Sequence, residues 1–282
     1  MDKKSILPTT TIGAWLKQST ALLKGVGIAS ARLDAEIILA HTIKKPRTYI
    51  HAHGDDELDA RTIEIANARI DLRRDFTPVA YIIGHKEFYG RRFKVSTATL
   101  IPRPETETMI DMVKSSVPLT SPLFPEAKKV IDVGTGSGCI GVTLKLELPE
   151  LDVTLADTSA HALTIAEKNA RSLGATVTIH QGDLLRSYGS PLDIICANLP
   201  YVDRSWEVSR DTFAEPDIAL YAADDGLALI KLLIIQSSRL LNDGGQLFLE
   251  ADPRQHDTIV AYAKQNGLYK SETNGFIVSL HK

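Results

Sequence analysis

The sequence predicts an α/β fold: a mostly parallel, doubly wound sheet with an antiparallel last strand, preceded by a small helical domain and a β-hairpin. Three observations carry this expectation. From Lys128 onward, short β-prone runs alternate with helical runs of roughly 10–15 residues. A glycine-rich turn, Gly134-Thr135-Gly136-Ser137-Gly138, separates the first of those strands from its helix. Residues 1–75 show helical periodicity and no strand alternation. At 282 residues the chain is long enough for two cores, since single cores stop growing near ~250–300 residues. The expected division is 1–75 helical, 76–104 a hairpin linker and 105–282 the sheet domain.

Thr10 or Thr11 can cap a first helix with Ile12, Trp15, Leu16, Leu22 and Leu23 on one face, stopped by Gly25 and Gly27. Ser30 can cap a second, with Leu33, Ile37, Ile38 and His41 as its buried stripe, ending before Pro46. After the polar turn His53–Asp56 comes a third, carrying Ile63, Ala66 and Ile70. Val79–Ile83 is β-prone, and Glu87–Val95 has the composition of a hairpin around Gly90. Ile101-Pro102-Arg103-Pro104 is extended, because a residue before proline is pushed out of the α region, and Pro104 can open the next helix. In the sheet domain the expected strands are Val130–Val133, Val153–Ala156, Val177–His180, Asp193–Ala197 and Gln246–Glu250. The expected helices are Cys139–Leu148, Ser159–Leu173 and Leu227–Leu241. Asn274-Gly275 is a hairpin signal before a last strand through Leu280, which makes that strand antiparallel.

Composition excludes several classes. With 44% hydrophobic and 24% charged residues the chain is neither disordered nor fibrous. Two cysteines, Cys139 and Cys196, offer no metal-ligand spacing and no disulfide framework. No apolar h-region follows the opening Met1–Ser5, so no signal peptide is expected. The most apolar run, Leu227–Ile235, contains Lys231 and falls well short of the roughly 20 residues of a membrane span. The expected location is the cytoplasm. Residues 76–104 hold five basic side chains and one acidic, whereas residues 105–282 carry net −9. An acidic sheet domain argues against a nucleic-acid substrate, whose binding rests on neutralising phosphates. The basic segment suits either an anionic partner or simply a solvated hairpin face.

The glycine loop lets the backbone turn tightly and approach a ligand. A dinucleotide fingerprint would place its third glycine at position 139, which is Cys; the spacing here is G-x-G-x-G after an acid. That spacing resembles the S-adenosylmethionine loop of class I methyltransferases, though a dinucleotide enzyme or a merely tight turn stays open on the loop alone. Asp157, at the second strand end, can accept both ribose hydroxyls, or it can simply favour a helix N-terminus. Asp183 is placed to bond an adenine amino group and Leu184 to cover the ring; a plain turn is the alternative.

Asn198-Leu199-Pro200-Tyr201 follows the fourth strand and resembles the Asn-Pro-Pro-Tyr motif of methyltransferases acting on planar nitrogens. An amide lone pair is delocalised, so orientation helps more than a base. The Asn198 oxygen and the Leu199 carbonyl can accept two N–H bonds, Tyr201 can stack on the flat group, and Pro200 stiffens the loop. Leu199 stands where the motif has Pro; Pro200 still biases it towards an extended conformation.

The linker strings Pro78–Gly84, Glu87-Phe88-Tyr89 and Leu100–Glu107, with Glu215-Pro216 and Asp225-Gly226-Leu227, resemble the release-factor glutamine methyltransferases (the HemK/PrmC type) over essentially the whole chain. The resemblance implies a Rossmann-like class I methyltransferase sheet and transfer of a methyl group from S-adenosylmethionine, leaving S-adenosylhomocysteine. The acceptor it implies is the glutamine of the Gly-Gly-Gln loop in class 1 peptide chain release factors. It implies cofactor contacts at Gly134 to Gly138, Asp157, Asp183, Leu184 and Asn198. A substrate clamp of Asn198, Leu199, Pro200 and Tyr201 follows, with the helical domain as a protein-docking module. Arg103 and Glu107 match the linker motif and either hold the site wall or meet the release factor. No metal is expected, and the protein is expected to be a monomer. The rival readings are a ribosomal-protein glutamine or adenine amino-methyltransferase and, from another class, a binding protein without catalysis.

Overall fold

The computed structural model describes residues 10–117, 128–208 and 210–282. The opening Met1–Ser5 lies outside them. The chain divides into two compact units: Met1–Gly84 with Ser209–Ala214, and His85–Val208 with Glu215–Lys282. The division falls inside the segment expected as a linker.

In the first unit a two-residue pair, β1 (Thr10–Thr11) with β2 (Glu57–Leu58), accompanies helices α1 (Ile12–Gly25), α2 (Ala31–Ile43), α3 (Arg47–Ala52), α4 (Ala60–Arg74) and α5 (Val79–Ile83). Thr11 caps α1 by accepting from the Ala14 N–H, and Asp59 caps α4 by accepting from the Thr62 N–H. Trp15, Leu16, Leu23, Ile38, Leu39 and Ile70 form the core. Leu22 and Leu33 do not join it: both are 42% exposed. The inward face of α2 is Ala31, Ala35, Ile38 and Leu39 together with Asp34, whose carboxylate accepts from Arg73 at 2.7 Å and Ser30 at 2.8 Å. A buried charge is tolerated when it is paired in this way. Val79–Ile83 is a helix and not a strand: a short apolar run does not distinguish the two. Here Pro78 at the N-cap and Gly84 in the left-handed region at the C-cap bound one helical turn.

The second unit opens with the hairpin β3 (His85–Phe88) and β4 (Arg91–Lys94), turned by Tyr89 and Gly90, both at positive φ. Pro104–Thr106 is a 3-10 turn leading into α6 (Glu107–Ser116). Then follow β5 (Lys129–Val133), α7 (Cys139–Glu147), β6 (Asp152–Asp157), α8 (Ala160–Leu173), β7 (Thr178–Gln181) and β8 (Leu192–Ala197). The remainder is α9 (Asp217–Leu220), α10 (Ala228–Leu240), β9 (Leu241–Glu250), α11 (His256–Gln265), β10 (Tyr269–Asn274) and β11 (Ile277–His281). The sheet order is β10-β11-β9-β8-β5-β6-β7. Pairings from β9 to β7 are parallel, while β11 is antiparallel to both neighbours. Alternate residues of each strand fill two cores. Val130, Leu155, Cys196 and Phe248 pack with α6, α7 and α8; Ile131, Ala156, Ile195 and Leu247 pack with α10 and α11. The chain runs from β5 outward to β6 and β7, then returns to β8 on the other side of β5. That reversal leaves a crevice at the carboxyl ends of β5 and β8, where open α/β sheets bind ligands.

Candidate active site

The carboxyl ends of four adjacent strands supply the site. A cavity of about 320 Å³ is lined by Gly134 and Gly136 after β5, Asp157 at the end of β6, Asp183 and Leu184 after β7, and Asn198, Leu199 and Pro200 after β8. Thr99, Leu100, Pro216 and Ala219 close it. The lining is largely apolar with a few placed polar groups, as small-molecule sites are.

Local chemistry shapes the loop after β5. Asp132, fully buried, accepts from Thr135 Oγ1 at 2.6 Å and from the Gly141 N–H at 2.9 Å, closing the turn on itself. Burial raises its carboxyl to about 6, although both hydrogen bonds favour the charged form. Gly134, at φ +69°, would put a Cβ 2.9 Å from Leu199 Cδ2. The loops after β5 and β8 therefore approach as closely as the absence of a side chain permits. Gly138 is the left-handed N-cap of α7, and a Cβ there would meet Ala166 at 3.1 Å. Asp157 accepts from the Gly136 N–H through Oδ2 and from the Ser159 N–H through Oδ1, both at 2.9 Å. Each carboxylate oxygen keeps a second lone pair for a ligand. Leu184 holds φ +50°, an uncommon conformation for a leucine, with its side chain 8% exposed against the cavity.

Asn198 donates from Nδ2 to Thr106 Oγ1 at 3.2 Å. Tyr201 donates its hydroxyl to Glu250 Oε1 at 3.4 Å, and its carbonyl accepts from Gln255 Nε2 at 2.9 Å. Burial, then the Glu250 charge, raises the Tyr201 phenol well above its ordinary range. Glu250, at the end of β9, is 1% exposed, and burial pushes its carboxyl up to about 7.

The expected residues divide into two groups. Gly134, Gly136, Asp157, Asp183, Leu184, Asn198, Leu199 and Pro200 share the cavity. Thr135, Ser137, Gly138, Tyr201, Arg103 and Glu107 are not among its lining residues. Ser137 is 2% exposed and its carbonyl accepts from Asn169. Arg103 pairs with buried Glu215, which also accepts from the Ile101 N–H at 3.1 Å. Glu107 accepts from the Tyr89 N–H at 2.8 Å and so anchors the hairpin turn. Among the described residues there is no cluster of histidine, cysteine and carboxylate that could hold a metal ion. Nor is any helix there long and apolar enough to cross a membrane.

Residues 14–84 match the PrmC N-terminal domain family, and residues 111–215 the methyltransferase small domain family. A bifunctional methyltransferase from Rickettsia felis is 32% identical over 89% of this chain, which spans 53% of that protein. A release factor glutamine methyltransferase from Deinococcus radiodurans is 33% identical over 89% of this chain and 90% of its own length. The chain belongs to the release factor glutamine methyltransferase family. A crystal structure of a methyltransferase from Pyrococcus furiosus aligns with TM-score 0.49 at 16% identity, covering 76% of this chain and 95% of that one.

In this methyltransferase several supporting residues escaped the sequence reading. Asn169 of α8, fully buried, donates to the Ser137 and Lys94 carbonyls and accepts from the Lys94 N–H, joining the glycine loop to β4. Gln255 bridges the Tyr201 and Asp225 carbonyls. Thr106 accepts from Asn198, and Glu250 accepts from Tyr201. Asp132 closes the glycine turn and Glu215 pairs with Arg103, roles that the sequence pattern around them does not carry. Asn169 and Gln255 carry no local signal, because their partners are far away in sequence.

Proposed function

We propose that this protein transfers the methyl group of S-adenosylmethionine to the side-chain amide nitrogen of the Gly-Gly-Gln glutamine of a class 1 release factor. The observation that carries this reading is that Asn198-Leu199-Pro200 opens onto the same cavity as Gly134, Gly136 and Asp157. The residues present fit S-adenosylmethionine. The glycine turn is a cradle that a Cβ at Gly134 would fill, Asp157 has lone pairs for ribose hydroxyls, and Asp183 and Leu184 suit an adenine edge and face. When bound, that cofactor supplies an electrophilic methyl group on a sulfonium.

The chain's own contribution is orientation. Asn198 Oδ1 and the Leu199 carbonyl accept the two N–H bonds of the target amide and turn its nitrogen face towards the methyl group. Pro200 holds that carbonyl in place, and Tyr201, tied to Glu250 and Gln255, anchors the loop. The Arg103–Glu215 pair supports the cavity wall beside Pro216. On this reading the compartment is the cytoplasm, where release factors work, and the helical unit is the docking module for the protein substrate.

The test is single-turnover methylation of a class 1 release factor at saturating cofactor, read by mass spectrometry of the Gly-Gly-Gln peptide. Wild type adds one methyl group. Asn198→Ala leaves a substrate N–H unpaired and slows transfer by roughly 10²–10³. A variant retaining more than about a tenth of the rate, well above that expected loss, would remove the amide clamp.

A further inference from the structure

We propose that Gln255 is a positioning residue for methyl transfer: its side-chain amide clamps the Tyr201 carbonyl to the turn before α10 and so sets the pose of the acceptor loop Asn198-Leu199-Pro200-Tyr201. The proposal rests on the functional reading above. The Leu199 carbonyl can receive a substrate N–H only if its direction is fixed, and the leucine side chain supplies no polar anchor. Pro200 removes one backbone torsion and one donor from the loop. The direction of that carbonyl therefore follows from how the chain is held on its far side, at Tyr201.

Gln255 ends the 3-10 turn Pro253–Gln255 after β9; it is 4% exposed and is not among the residues lining the cavity. Its Nε2 donates to the Tyr201 carbonyl at 2.9 Å and to the Asp225 carbonyl at 2.8 Å. Its Oε1 accepts from the Asp252 N–H at 3.2 Å. Both amide protons are in use, and three backbone partners fix which end of the amide points where. The turn that it grips is strained. Asp224, Asp225 and Gly226 hold φ +61°, +54° and +82° in succession, left-handed conformations that persist only where the surroundings over-determine them. A Cβ at Gly226 would lie 2.0 Å from the Tyr201 carbonyl oxygen and 2.7 Å from Gln255 Nε2. Backbone bonds extend the clamp: the Val202 N–H donates to the Leu220 carbonyl and the Ala222 N–H to the Val202 carbonyl, both at 3.1 Å. Pro216 and Ala219, just ahead of this turn, line the cavity. One amide thus ties the acceptor loop to a second segment of the cavity wall.

Two carbonyl oxygens converge on this position, so it demands a pair of donors. An ionised carboxylate there would only accept and would repel both carbonyls. A protonated one regains a single O–H donor, while its other oxygen still accepts from the Asp252 N–H. Gln255→Glu therefore turns a fixed clamp into one that closes in acid. Burial and the two carbonyls hold the introduced carboxyl above its ordinary value of about 4.3. The titratable and charged groups beside position 255 are Asp252 and Arg254 of its own turn, which pair with each other, and His256, whose Nε2 lies 3.2 Å from the Ala251 carbonyl. From the facing segments come Asp225 and Tyr201, the latter with its hydroxyl on Glu250 of β9. Wild type contains all of these, so the ratio of variant to wild-type rate isolates position 255.

The experiment uses the full-length protein, a class 1 release factor and S-adenosylmethionine, with single-turnover rates at saturating cofactor between about pH 5 and 8.5, a range that spans a raised carboxyl pKa. Gln255→Met, similar in shape but without donors, is expected to be slower by on the order of 10²-fold at every pH, the cost of a misplaced reacting group. Gln255→Glu is expected to be as slow at the alkaline end and to recover about tenfold relative to wild type as the pH falls. Cofactor affinity, measured by calorimetry, is retained in both. A second readout needs no substrate. The nitrogens of Val202 and Gly226 share peptide groups with the Tyr201 and Asp225 carbonyls. Their backbone resonances should titrate together in Gln255→Glu and not in wild type or Gln255→Met. Gln255→Glu at low pH is its own folded control, should Gln255→Met fail to fold. A failure of wild type to methylate the release factor overturns the functional reading, while the Val202 and Gly226 resonances still decide the clamp. A rate ratio for Gln255→Glu that is flat with pH, wild-type rates in either variant, or an equal loss of cofactor affinity and rate would overturn the role of Gln255.

Discussion

Asp157 shows how one side chain serves both the loop and the ligand. Its two oxygens already hold the Gly136 and Ser159 N–H groups. Asp157→Ala removes these along with the proposed ribose contacts. S-adenosylmethionine binding should weaken by about 2–4 kcal/mol, the worth of a charge-assisted pair, while the fold persists. Calorimetric titration checks this, and unchanged affinity would take Asp157 out of the ribose role. Glu250 carries a separate prediction for stability. Its folded pKa lies above the unfolded value, so its favourable contribution is complete below about 4.5 and is lost as pH rises through about 7. The stability of Glu250→Gln relative to wild type should therefore increase from pH 5 to pH 8 in denaturant unfolding. A difference that stays constant or shrinks would mean that the carboxylate does not pay this burial penalty.

At the scale of elements, the site is held by contacts that cross between strands and helices. Asn169 ties α8 to both β4 and the glycine loop through three hydrogen bonds. Asn169→Ala would leave several buried backbone groups unpaired and should cost about 2–4 kcal/mol of stability, measured by urea unfolding. A loss below about 1 kcal/mol would show that the hairpin and loop find other partners. The loop after β8 is held against Gly226, where a Cβ would lie 2.0 Å from the Tyr201 carbonyl. Gly226 also has φ +82°, which side chains other than glycine rarely adopt. Gly226→Ala is expected to displace Tyr201 and slow methyl transfer by on the order of 10²-fold, with cofactor affinity less affected. Equal losses in both would point to general unfolding of the site.

On the scale of the whole molecule, the proposed function assigns the two units different tasks. The cavity is built entirely from residues of the second unit. Under the proposed docking role, a chain beginning at His85 should bind cofactor yet methylate intact release factor poorly, provided that it folds as judged by circular dichroism. Equal turnover of the protein substrate by the truncated and full-length enzymes would refute a docking role for the helical unit.

The sequence by itself determined the strands and their order of function. Val130–Val133, Asp193–Ala197 and the glycine turn were legible because burial on both faces, periodicity and turn chemistry are properties of neighbouring residues. The hairpin at Gly90 and the Asn274-Gly275 turn were legible for the same reason. The short run Val79–Ile83 was not, because five apolar residues fit a strand or a helical turn equally well until Pro78 and Gly84 set the geometry. Leu22 and Leu33 matched an apolar stripe, and packing placed them outside it. The site residues split in the same way. Asn198, Asp157 and the glycines follow from their places at strand ends, whereas Asn169, Gln255, Thr106 and Glu250 do not. Their roles depend on hydrogen bonds across 30 to 92 positions of sequence for the first three, and on burial at the end of β9 for Glu250. A linear pattern records what a residue can donate or accept, and only the folded chain decides which partner lies within reach and whether water competes for it.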